Sequence, residues 1–299
     1  MVLFVHDHRR ARFGFDMSTG APVGPEDAPR MIGPVATLLH VVMPEVAPGA
    51  LPVDVDVRPH PHIGLAALTI VLEGHITHRD SLGNVCEIGR GGVGYTYASG
   101  PGVVHSERFD RLRVLGGAYA QLQILLALPD ANLDDPPRYE HLQGVASEES
   151  GGVVTRRVVD ADGPIRFPSP CFLHDLDLAA GVRHLVDRTE PERALYVVQG
   201  EVEVDGVTVG ARRAAVLAPG EVATVSARSA ARVLVYGGAP VGPRYVWWNY
   251  LHPSLDAIEA ARAAWRAGTV KLPPGDTESF TPAPPDDGRP LLRALAVSA

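Results

Sequence analysis

RPHPHIGLAALTIVLEGHITHRDSLGN, residues 58–84, and GYTYASGPGVVHSERF, residues 94–109, form the stretch on which the fold is decided. It opens on His60-Pro61-His62 and closes on His105-Ser106-Glu107, and both clusters alternate a metal-ligand type with a spacer. On a β-strand, residues two apart face the same side about 7 Å apart, so each cluster aims two side chains at one point, whereas a helix would splay them. Between the clusters come an apolar run from Leu65 to Leu72, a break at Glu73-Gly74 and a polar alternating segment, His75 to Arg79. The turn Asp80 to Asn84, Gly91-Gly92, and Ser99-Gly100-Pro101-Gly102 follow. These are strands and turns without helical period, and they fold the second cluster back beside the first.

Three imidazoles and one carboxylate make a mixed nitrogen and oxygen donor set that suits a divalent first-row metal. Four ligands in two pairs would cover one side of an octahedron and leave neighbouring positions for water, dioxygen or a chelating substrate. A His-x-His by itself is as readily a histidine pair on a wet strand face. The second pair, some forty residues later, is what points to metal binding.

Working outward, 299 residues with 45% hydrophobic content are enough for two domains of ordinary size. Helical periodicity is scarce and Val, Gly and Pro are plentiful, which predicts an all-β architecture. With 35 acids against 27 bases the net charge is −8, so the chain has no general electrostatic attraction for nucleic acid. Cys86 and Cys171 fall in different halves and read as unpaired thiols of a reducing compartment. The apolar run Val2–Val5 is too short for a signal peptide and no stretch is long enough to span a membrane, so a cytoplasmic location is expected.

His6-Asp7-His8 repeats the His-x-His spacing, but among Arg9, Arg10 and Arg12 near a terminus it reads as a solvated strand edge. Proline-rich residues 17–50 predict loops around one strand at Val35–Val42. Leu112 to Leu128 reads as one or two buried strands closing a first barrel, with Gln121 and Gln123 on one face; Gln123 lines the metal pocket or serves the sheet's hydrogen bonding. Residues 193–206 then repeat the pattern of 67–80, an internal duplication, but the second copy has Thr189-Glu190-Pro191-Glu192 where a His-x-His would stand. His174 and His184 are isolated, so a second metal is not expected there. The aromatic cluster Tyr245 to Tyr250 should dock on the first barrel. Ser254 should cap a helix with Leu255, Ile258, Ala261 and Trp265 on one face and Gly268 at its end. Residues 272–290 read as a poorly ordered or surface-wrapping tail. The expected division is a metal-binding barrel over 1–130, a linker over 131–152, a metal-free barrel over 153–245, and a helix and tail over 246–299 that pack back on the barrels.

The run HPHIGLAALTIVLEGHITHRDSLGN followed by GYTYASGPGVVHSE resembles the metal-binding half of the pirins. The resemblance implies an all-β bicupin: two antiparallel β-barrel, or jelly-roll, domains with a short C-terminal helix. It also implies one metal, usually iron in that family, held by His60, His62, His105 and Glu107, with the second barrel metal-free. Fe(II) is therefore the expected cofactor, and Mn, Ni, Cu or Zn could occupy the same donors. The chain departs from the family at Ile63, where a charged residue often follows HPH, and at Tyr95-Thr96-Tyr97. It also lacks a recognisable His-Thr-Phe-Ser-Phe motif. It departs again at Ala66, where the family usually carries a Glu; that Glu is a ligand in many other cupins but not in pirins, so its loss leaves the implied metal site intact. The resemblance implies a dioxygenase that cleaves quercetin-like flavonols or related phenolics with dioxygen, Glu107 taking up the substrate proton as well as binding metal. The alternative is a non-enzymatic, iron-dependent redox sensor acting through a regulatory protein partner.

Overall fold

A computed structural model describes residues 1–7, 9–12, 16–19, 30–285 and 291–296. It contains two antiparallel barrels, each made of a seven-stranded and a four-stranded sheet. In the front barrel the large sheet places Leu65–Glu73 between Val93–Ala98 and Gly117–Ala127, with Val35–Val46 next to the latter. The small sheet runs in the order Val57–His62, Val103–Arg108, His75–Asp80, Val85–Gly89.

The run at 65–72, apolar except at Thr69, follows from its position, because this strand is covered on both faces. Leu68 and Ile70 point to the second barrel, where they join Leu122, Ile124, Tyr196 and Tyr236 in one core shared by both halves. Residues of the other parity, Thr69 and Val71 among them, point into the front barrel. The same alternation on Gly117–Ala127 sends Leu122 and Ile124 to the shared core and Gln121 and Gln123 inward. A second, mostly aliphatic core fills the rear barrel with residues such as Leu176, Val197, Val204 and Val233 around Phe172.

Two boundaries differ from the expected division. The first strand, Val2–Asp7, pairs with Arg213–Leu217 in the rear sheet, and Val2 and Val5 pack on the rear core. Alternation reveals a strand but not which sheet edge receives it. Within 131–152, Arg138–Leu142 adds an edge strand to the front sheet beside Val93–Ala98, and Ser147–Ser150 pairs with Val153–Val159. The segment expected as a linker is therefore mostly sheet. Between the second ligand cluster and Gly117 the chain forms a short helix, Asp110–Leu115, ended by Gly116 at φ +70°.

At the C-terminal end the hairpin Arg244–Trp247 and Tyr250–His252 docks on the front barrel, where the Leu251 amide donates to the Ile63 carbonyl at 3.1 Å. Helix Leu255–Arg266 is capped by the Ser254 hydroxyl, which accepts from the Ala257 amide at 3.3 Å. Ile258 and Trp265 are buried, but Leu255 is 41% exposed. Arg262 is buried on this helix, its guanidinium 4.7 Å over the Trp247 ring. The tail wraps the front barrel: the Thr281 amide donates to the Pro59 carbonyl at 2.9 Å and the Trp265 indole to the Thr281 carbonyl at 3.1 Å. No described helix is long and apolar enough to cross a membrane.

Candidate metal centre

Strand pairing brings the two clusters together. His60 lies directly opposite His105 on the neighbouring strand, and Val57 lies opposite Glu107 across an irregularity in the register. The period of two then turns His60, His62, His105 and Glu107 toward the barrel interior. All four are buried. The Nε2 of His105 lies 2.9 Å from that of His60 and 3.0 Å from that of His62.

This convergence fits a metal. Two nitrogens each about 2.1 Å from one ion and at right angles around it would be about 3.0 Å apart, while tetrahedral angles would spread them to about 3.4 Å. The protonation states agree. Burial pushes the His60 imidazole down to about 4 and holds His62 and His105 well below their ordinary value, so all three present neutral rings at neutral pH. His60 is further fixed by its Nδ1, which sits 2.9 Å from the Arg58 carbonyl; a proton there leaves the Nε2 lone pair free. The three histidines are the described group whose donor atoms lie within 4.8 Å of one another. Glu107 is outside that group but lines the same cavity, with its carboxyl raised to about 7 by burial, an effect that the Thr69 hydroxyl opposes.

The cavity in front of the imidazoles measures about 420 Å³. Leu39, Val41, Phe109 and Leu125 supply apolar wall, Gln121 and Gln123 polar wall, and Trp248 and Thr281 reach in from the C-terminal segments. Both alternatives for Gln123 hold at once, since it lines the cavity and its Oε1 accepts from Thr69 Oγ at 2.8 Å. Gln121 accepts from the Tyr119 hydroxyl at 2.6 Å. This size and this mixture of apolar wall with a few fixed polar groups are those of a small-molecule site.

Several site residues carried no clear sequence signal. Thr69 is a single polar residue inside an apolar run. His78, expected only as part of a polar alternating strand, is buried beneath the candidate ligands with its ring edge-on to His105 at 5.2 Å and its Nε2 3.1 Å from Asp80. Trp248, at φ +53°, and Thr281 arrive through docking of distant segments. His8 of the rival cluster lies outside the described residues. In the rear barrel His174 is bound to Asp160 at 2.6 Å, and neither His174 nor His184 belongs to a described metal-capable group.

Residues 28–125 match the family pattern described as Pirin, and residues 173–271 match the Pirin C-terminal cupin domain. A pirin-like protein of Caulobacter vibrioides is 40% identical over 291 residues, covering 95% of this chain and 100% of the relative. A Pseudomonas aeruginosa protein named for a proposed quercetin 2,3-dioxygenase activity is 33% identical over 250 residues, covering 81% and 77% of the two chains. Among solved structures, a quercetin 2,3-dioxygenase from Acinetobacter baumannii superposes with a TM-score of 0.84 at 26% identity, covering 96% of this chain and 97% of the other.

Proposed function

The chain belongs to the pirin family, and from that premise we propose that it is a metal-dependent dioxygenase acting on quercetin-like flavonols or related phenolics. The observation that carries the reading is the juxtaposition of three neutral, converging imidazoles with a cavity of about 420 Å³. A redox sensor needs access only for electrons or dioxygen. A cavity of this volume is what a multi-ring substrate requires.

His60, His62 and His105 would hold the ion, with Glu107 as the fourth ligand. Fe(II) is the ion we propose, although Ni or Cu would outrank it in simple affinity. When bound, the metal supplies a Lewis-acidic, redox-active position at which a phenolate and dioxygen meet. The chain's own residues do the rest. Glu107, raised to about 7, sits where a base working near neutral pH should be, and its carboxylate takes the proton of the substrate hydroxyl. Thr69 and Gln123 fix the carboxylate side of the pocket, and Gln121 offers an amide to a substrate oxygen. The apolar wall and Trp248 grip the rings and exclude water.

Mixing the iron-loaded protein anaerobically with quercetin and then admitting air tests this directly. The expected result is loss of the flavonol absorbance with release of carbon monoxide. If neither occurs at micromolar enzyme, quercetin is not the substrate.

A further inference from the structure

One group of side chains beside the pocket has no part in that chemistry. Tyr139, on the edge strand Arg138–Leu142, lays its ring flat on His78 with centroids 3.9 Å apart and planes 5° apart, and its hydroxyl is 3.0 Å from Cys86 Sγ. Cys86 and His78 are direct cross-strand partners, so their side chains stand on one face. His78 in turn meets His105 edge-on. Gly94 makes the room, because a Cβ there would lie 3.1 Å from the Tyr139 hydroxyl and 2.8 Å from Ile88 Cδ1. An unbroken series of contacts therefore runs from a metal ligand through His78 and Tyr139 to a half-buried thiol.

A phenol and a thiol are among the most readily oxidised side chains, and here they touch each other beside a site suited to a redox metal. Cys171, the second of the two cysteines, is buried in the core shared by the two barrels and gives Cys86 no disulfide partner. Burial raises the Cys86 thiol above its ordinary value and so suppresses thiolate reactions.

We propose that Cys86 and Tyr139 are a covalent modification site, joined by a thioether between Cys86 Sγ and the ring carbon next to the Tyr139 hydroxyl, formed by dioxygen under the control of the metal centre. The proposal rests on the metal-centre reading above. The S–H bond of Cys86 and one ring C–H bond of Tyr139 break and one C–S bond forms. The two electrons and two protons released reduce one dioxygen to hydrogen peroxide, with the stack on His78 as the path for the electrons. The structural consequence follows from strand order. Val85–Gly89 is one edge strand of the small sheet and Arg138–Leu142 one edge strand of the large one, so the bond would fasten the front barrel at its seam.

The test uses the full chain, prepared metal-free and without air, loaded with Fe(II), assayed for bound iron and then exposed to air. After denaturation, reduction and alkylation, the intact chain should be lighter by two hydrogens and Cys86 should resist alkylation while Cys171 reacts. Trypsin should then release residues 80–90 and 139–156 as one linked species. The link should be missing without iron, without air, and in Cys86→Ser and Tyr139→Phe. Full alkylation of Cys86, or oxygen added to its sulfur, in protein carrying one iron per chain overturns the proposal and leaves the metal centre standing. Protein that binds no iron overturns both.

Discussion

Asp276, 168 residues along the chain from Arg108, binds its guanidinium and also accepts from Ser106 Oγ at 2.6 Å. Ser106 and Arg108 alternate with His105 and Glu107, so the tail is fastened to the outer face of the strand whose inner face carries the candidate ligands. This part-buried clamp, with an Nε to Oδ2 distance of 2.9 Å, explains why a Pro- and Asp-rich segment wraps the barrel.

Breaking the clamp should free the tail. Lys271 is the single lysine of the chain and is exposed, so cleavage by a lysine-specific protease reports on this segment alone. Asp276→Ala should accelerate that cleavage roughly tenfold or more under native conditions, the effect of losing charge-assisted hydrogen bonds worth about 2 kcal/mol. Unchanged cleavage would show that the tail is held by other contacts.

Gly64 should be intolerant of a side chain. Its φ is +67°, and a Cβ would run into the Leu251 carbonyl at the point where the C-terminal hairpin docks. Gly64→Ala should lower unfolding stability by at least about 2 kcal/mol, combining left-handed strain with loss of a docking hydrogen bond. Gly83→Ala, at φ +101° with open space around it, should cost only about 1 kcal/mol. Equal losses in denaturant unfolding would contradict the docking role of Gly64.

His40 should make the protein acid-sensitive. It is buried between the barrels with Nδ1 3.0 Å from the Tyr196 hydroxyl, and burial lowers its pKa from 6.5 to about 4. Between those values the unfolded chain takes up a proton that the folded chain refuses, so the stability is whole above pH 6.5 and is lost as the pH falls toward 4. The loss from this group should reach about 3 kcal/mol. In urea titrations across that range, His40→Gln should show a shallower decline with acidity than the parent protein, and parallel declines would contradict the assignment.

Much of the candidate site was legible because strand period and ligand chemistry coincide. His60, His62, His105 and Glu107 each sit two apart within their clusters, and a residue-level pattern of that kind survives without knowledge of tertiary structure. The same parity placed Gln121 and Gln123 together. What was hidden depended on which edge meets which. Tyr139 lay in an apparent linker, and only its pairing with Val93–Ala98 brings it over His78. The first strand looked like part of the front barrel, yet it completes the rear sheet. Trp248 and Thr281 become pocket residues only after distant segments dock. Leu255 fitted the apolar stripe of its helix but is exposed, while Arg262 is buried against Trp247, a cation over an aromatic face that hydropathy alone does not register.

One ion should sit among the imidazoles of His60, His62 and His105. Elemental analysis of protein purified without a histidine tag, beside His60→Ala and His105→Ala, decides this. One divalent metal per chain in the parent protein and less than a tenth of that in either variant is the predicted result. A metal-free parent protein, or variants that keep the full complement while remaining folded, would contradict it.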